Sequence, residues 1–114
     1  MTQLEAFIHF EERRLDLIRG SVHLKHFCTN FTHWELLLLI HKLEGDPKYG
    51  LNDYIDNLRT LSQTRLTIQT FIKQMINQGL FEVIPSEKRS RKTLVLSQAL
   101  AEELEATLAQ IWPH

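Results

Sequence analysis

One cysteine, Cys28, occurs among 114 residues, so no disulfide can close within the chain. A lone thiol suits a reducing compartment, and a cytoplasmic protein is expected. The longest apolar run, residues 36–40, falls far short of the roughly 20 residues that a membrane span needs. The opening residues Thr2, Gln3, Leu4 and Glu5 are amphipathic and acidic, so no secretory leader is expected here. The four glycines stand alone at 20, 45, 50 and 79, which excludes a glycine-rich phosphate loop. No Gly-x-Ser-x-Gly or His-Glu-x-x-His pattern is present, and neighbouring carboxylates (Glu11, Glu12; Glu102, Glu103, Glu105) fit helix surfaces. The expectation is a protein that is not an enzyme and uses no cofactor. The most informative absence is local: positions 59 to 81 contain no Asp or Glu.

What is present is a charge distribution hidden by a net charge of −1. Residues 1–58 carry six Lys or Arg against nine acids, and residues 93–114 carry three acids and no Lys or Arg. Residues 59–92 carry seven cations (Arg59, Arg65, Lys73, Lys88, Arg89, Arg91, Lys92) against two acids. One segment is therefore basic and both flanks are acidic, so a polyanion would meet a single face.

The length allows one domain with one core. Thr2 and Glu5 form a capping-box pattern, and Leu4, Phe7, Ile8, Leu15 and Ile18 follow at helical spacing. Residues 21–31 read as a connector. Thr32 and Glu35 make a second capping-box pattern before a helix too apolar for the surface, stopped by Gly45, Asp46 and Pro47. Asn52 or Asp53 caps a short third helix to about Thr60, with Ile55 and Leu58 inward, and Leu61-Ser62 makes a turn.

A fourth helix starts at Ser62 or Thr64 and runs to Gln78. Its inward positions are Ile68, Phe71, Ile72, Met75 and Ile76, and Gly79 ends it. Residues 80–84 alternate as a strand, Pro85 ends them, residues 86–92 form a basic loop, and residues 93–96 return. Ser97 caps a last helix that carries Leu100, Leu104, Leu108 and Ile111 on one face.

The expected fold is mainly α with a small β-hairpin, an α+β winged helix-turn-helix. Residues 1–31 would be a packing or dimerisation helix with its connector, 32–97 the winged-helix core, and 97–112 the closing helix. A helix fits the major groove of B-DNA, where base edges differ in donors and acceptors, and a hairpin beside it can place cations on phosphate or in the minor groove. The fourth helix offers Gln63, Thr64, Arg65, Thr67, Gln69, Thr70, Lys73 and Gln74 on its non-core faces, and the loop adds Lys88, Arg89, Arg91 and Lys92. Gln suits adenine, Arg suits guanine, and Thr suits phosphate or a thymine methyl.

Residues 32–97 resemble the MarR family of bacterial winged-helix regulators. The resemblance is carried by Leu61-Ser62-Gln63-Thr64, then Ile68, Phe71-Ile72 and Met75, then Gln78-Gly79-Leu80-Phe81-Glu82. It continues through Glu87-Lys88-Arg89-Ser90-Arg91-Lys92 to Leu94-Val95-Leu96-Ser97. Glu87 stands where that family usually has Asp, and Ser97 where it has Thr. The resemblance implies duplex-DNA binding as a homodimeric transcriptional repressor, with Arg89 as the wing arginine of the minor groove. Members usually carry about two more long helices after the wing; this chain has one and is SarA-like in size. Phe7, Leu15, Leu104, Leu108, Ile111 and Trp112 are the expected dimer contacts, the alternative being that they close the monomer core. Many members respond to a small effector; nothing in the residues themselves calls for one, and no membrane partner is expected.

Two other readings of the module stand beside this one. Winged helices also serve as protein-interaction or replication and plasmid-control modules, and the acidic first and last helices could dock onto a larger complex. His23-x-x-His26-x-Cys28 has the spacing of metal ligands but too few of them, so no metal is expected. Cys28 lacks an adjoining cation that would activate it and is expected to be an inert thiol.

Overall fold

The computed structural model describes residues 2–85 and 92–111, and the described part is mainly helical, with five α-helices and one two-stranded hairpin. The order is α1 (Gln3–Arg19), a single 3-10 turn (Leu24–Phe27), α2 (Phe31–Leu43), α3 (Leu51–Asp56), α4 (Arg65–Asn77), β1 (Phe81–Ile84), β2 (Thr93–Leu96) and α5 (Gln98–Ile111).

The Thr2 hydroxyl accepts the Glu5 N–H at 3.1 Å and opens α1 as its spacing predicts. Only Ile18 of this helix is buried; Leu4, Phe7, Ile8 and Leu15 lie open. The expected start of α2 is corrected. Asn30, in extended backbone, is the cap and accepts the His33 N–H at 2.8 Å, so the helix begins at Phe31. Thr32 and Glu35 sit inside the helix and bond elsewhere. Leu36, Leu37 and Ile40 make α2 the central core helix, although Leu38 on its opposite side is exposed.

Glu44 and Gly45, both with positive φ (46° and 74°), end α2. Gly45 lies so close to the hairpin that a Cβ there would come within 2.6 Å of Ile84 Cδ1 and 2.9 Å of Val95 Cγ1. The third helix is shorter than its composition implies. Gly50 is its cap, Asp53 reaches back to accept the Gly50 N–H at 2.7 Å, and the helix ends at Asp56, with the Asn57 N–H closing the last turn on the Asp53 carbonyl at 3.1 Å. The carboxylate thus serves from within the first turn and not as the cap.

Thr64 caps α4, accepting the Thr67 N–H at 3.2 Å. At its end Leu80 N–H bonds the Met75 carbonyl (2.9 Å) and Gly79 N–H the Ile76 carbonyl (3.0 Å), the paired closure that a left-handed residue permits; Gly79 has φ 77°. The chain then enters the antiparallel hairpin, with Phe81 opposite Leu96 and Ile84 opposite Thr93. Ser97 accepts the Leu100 N–H at 3.2 Å and starts α5.

The core gathers Leu24 and Phe27 of the 3-10 turn, the inner faces of α2 and α4, Tyr54, Phe81, Leu94, Leu100 and Leu104. Phe27 meets Phe71 edge-on at 5.6 Å and Phe81 at 5.4 Å. Each such side chain contributes about 1.5–3 kcal/mol on burial. Tyr54 also satisfies a polar group: its hydroxyl accepts the Leu94 N–H at 2.9 Å, joining α3 to β2. The carboxylate of Glu103 on α5 accepts three successive N–H groups, from Val22 (3.1 Å), His23 (2.9 Å) and Leu24 (2.6 Å), which opens the 3-10 turn. Burial alone would raise its pKa; the bonds from Leu24, His23 and Val22 outweigh this and lower it.

Candidate nucleic-acid interface

The turn between α3 and α4 decides how α4 is presented, and the first turns of α2 hold it. Glu35 Oε1 accepts the N–H groups of Arg59 and Thr60 and the Thr60 hydroxyl, each at 2.8 Å. The Thr32 hydroxyl donates to the Thr60 carbonyl and lies 2.7 Å from the Ser62 hydroxyl. His33 Nε2 lies 3.2 Å from Gln63 Oε1. Three side chains in a row of four therefore grip residues 59–63. Burial works against the charge on Glu35, but the bonds from Thr60 and Arg59, with the Arg59 cation, bring its pKa below the usual value. The His33 ring stacks on Phe71 at 3.7 Å and 4°, and burial pushes its pKa down despite the Gln63 contact.

With Ile68, Phe71, Ile72 and Met75 buried, α4 turns its opposite side outward. Thr64, Arg65, Thr67, Thr70 and Lys73 are exposed, while Gln63 and Gln69 are half-buried. The side chains are not equally free. Arg65 pairs with Asp56 and approaches Asn52 Oδ1 at 3.4 Å; Gln69 Nε2 donates to the same oxygen at 3.3 Å. Both lean toward α3. The Thr64 and Thr67 hydroxyls bond each other at 2.9 Å, and the Thr70 hydroxyl donates to the Leu66 carbonyl at 2.9 Å. Lys73 makes no ion pair among the described residues. Lys73, Gln69 and Lys92 border one open cleft with Gly50, Asn52 and Asp53, so the hairpin base brings Lys92 beside α4. Lys88, Arg89 and Arg91 lie outside the described residues.

One residue of this face was not among the expected contacts. Leu66, 72% exposed, takes no part in the core. An apolar residue off the spacing of Ile68, Phe71, Ile72 and Met75 is the sequence signal that marks it. Beside it His33, Gln63, Thr67, Thr70 and Gln74 line a recess of about 360 Å³.

The expected dimer contacts divide. Phe7 (59% exposed), Leu15 (56%) and Leu108 are open to solvent, but Leu104 (1%) and Ile111 (5%) are buried within the single chain. Those two are a correction: α5 turns them onto the chain's own interior, where they close the monomer. Trp112 lies outside the described residues. Between α1, the start of α2 and α5 lies a cavity of about 560 Å³ lined by Phe10, Phe31, Trp34 and Leu108.

Cys28 is a half-buried free thiol. Burial pushes its pKa up and Arg14 pulls the other way, with burial the larger effect. Among the described residues no three His, Cys, Asp or Glu side chains converge as a metal site requires. No described helix is long and apolar enough to cross a membrane. Comparison with family models, with curated proteins and with solved structures returns no match.

Proposed function

We propose that this chain is a sequence-specific duplex-DNA-binding transcriptional regulator, a compact winged helix-turn-helix of the MarR type acting as a homodimeric repressor. In this reading α3, the gripped turn and α4 are the helix-turn-helix, and the β1–β2 hairpin with its basic loop is the wing. Repression follows from occupancy, since a dimer on the operator blocks polymerase.

The observation that carries the reading is the outward face of α4. It combines Thr64, Arg65, Thr67, Thr70 and Lys73 without one acid, beside a hairpin whose loop sequence holds four cations. An ordinary solvated helix mixes Glu with Lys; carboxylates facing phosphate would repel it. Asp56 pairs with Arg65 in the free protein, and a DNA phosphate would compete for that guanidinium.

The test is anisotropy of a labelled random-sequence duplex titrated with protein at several salt concentrations. A linear fall of log affinity with log salt, with a slope implying on the order of four or more phosphate contacts per dimer, supports the reading. A folded protein that does not bind at low salt overturns it. That result would favour a protein-docking module, for which the open apolar side chains of α1 are the supporting feature.

A further inference from the structure

Leu66 is an exposed leucine in the middle of the face just described, and nothing in the fold requires it. On a helix of 3.6 residues per turn, Leu66, Thr70 and Lys73 form one stripe, opposite the buried Ile68, Ile72 and Met75. The side chains with the strongest hydrogen-bonding claim on bases, Arg65 and Gln69, stand to one side and are engaged with Asp56 and Asn52 of α3. Gln63 is engaged with His33. The Thr67 and Thr70 hydroxyls are satisfied within α4 or its cap, so beyond the helix these two residues can still offer methyl groups. The leading stripe of α4 is thus an isobutyl group flanked by threonines, followed by one cation.

From this geometry we infer that Leu66, with Thr70 behind it, reads thymine C5-methyl groups in the major groove; the inference rests on the DNA-binding reading above. The major-groove edge of an A·T pair presents one apolar group, the thymine methyl, whereas G·C presents none. An apolar side chain aimed at G·C edges would bury polar atoms without partners, and against thymine it buries methyl on methyl. Lys73, farther along the same stripe, gives cationic contact that does not depend on the base. The preferred ligand is therefore duplex rich in A·T pairs, recognised through its methyl groups and not only through its minor groove.

The decisive comparison uses two polymers that differ by that methyl alone, alternating poly(dA-dT) and alternating poly(dA-dU). Binding of wild type, Leu66→Ala and Lys73→Ala to each is measured at matched salt. Wild type is expected to prefer the thymine polymer by roughly fourfold for each methyl covered. Leu66→Ala should lower the ratio by about that factor, and adding Thr70→Ser, which keeps the hydroxyl bonded to the Leu66 carbonyl and removes the methyl, should bring it close to one. Its folding is not at stake, because the side chain is exposed and alanine is a good helix former. Lys73→Ala should weaken binding to both polymers and leave the ratio unchanged. Equal binding of wild type to both polymers, or a preference undiminished in Leu66→Ala, overturns the inference while leaving DNA binding intact. Failure of folded wild type to bind either polymer at low salt overturns both.

Discussion

The carboxylate of Glu35 accepts both the N–H and the hydroxyl of Thr60 at 2.8 Å, tying the central helix to the turn 25 residues later. The same oxygen takes the Arg59 N–H. Glu35→Ala should therefore cost about 1–3 kcal/mol in urea unfolding, the range for backbone donors that lose their partner, with partial exposure favouring the low end. The pH dependence has a definite sign. The folded carboxyl has a lowered pKa, so its contribution is present above the ordinary value of 4.5 and is lost as pH falls through the folded value. Glu35→Gln should remove that part of the acid dependence, and unfolding midpoints followed from neutral pH into acid will show whether it does.

Asp56 pairs with Arg65 of the proposed reading helix, and the ion pair is half-exposed. Asp56→Asn should alter stability by less than about 1 kcal/mol. Under the proposed function it should also tighten binding to random duplex at low salt, because a guanidinium is released and a repelling charge removed. Unchanged or weaker binding in the anisotropy titration would show that Arg65 does not meet DNA.

Gly45 and Gly79 have nearly the same positive φ but different surroundings. At Gly79 an added Cβ would meet nothing within 4 Å, so Gly79→Ala should cost only the left-handed strain, about 1–2 kcal/mol. Gly45→Ala carries that strain and must also push Ile84 and Val95 aside, so its cost should be clearly larger. Thermal melts of the two variants side by side check the order.

The sequence pattern places both Phe7 and Leu104 among the expected contacts for a second copy, but the fold separates them. Leu104→Ala should destabilise the protomer by about 2–5 kcal/mol, as a buried leucine does. Phe7→Glu should leave the protomer folded and, if the open side of α1 joins two copies, lower the mass seen in sedimentation. A dimer that survives Phe7→Glu would place its interface elsewhere.

The pattern of apolar residues announced all five helices and both strands, because local spacing and stop signals such as Gly79 act over a few residues. Helix starts were less legible. Thr32 and Glu35 satisfy the capping-box spacing, yet Asn30 wins the cap and frees them to bond Thr60 and Ser62. The capping-box spacing points past Asn30, and the groups that take up Thr32 and Glu35 lie far along the chain, where no local rule reaches. Tyr54 is a similar case: the sequence shows an aromatic residue in a short helix, and only the fold sets its hydroxyl against Leu94.

By itself the sequence determined an α+β chain with a basic segment, acid-free from 59 to 81, between acidic flanks, because composition and periodicity are properties of the chain before it folds. Tertiary structure alone decided which of those groups are free. It pairs Arg65 with Asp56, turns Gln63 to His33, buries Leu104 and Ile111, and leaves Leu66 and Lys73 pointing out. The reason is physical: a side chain's availability depends on which partner reaches it first, and those partners are brought together by packing rather than by sequence spacing.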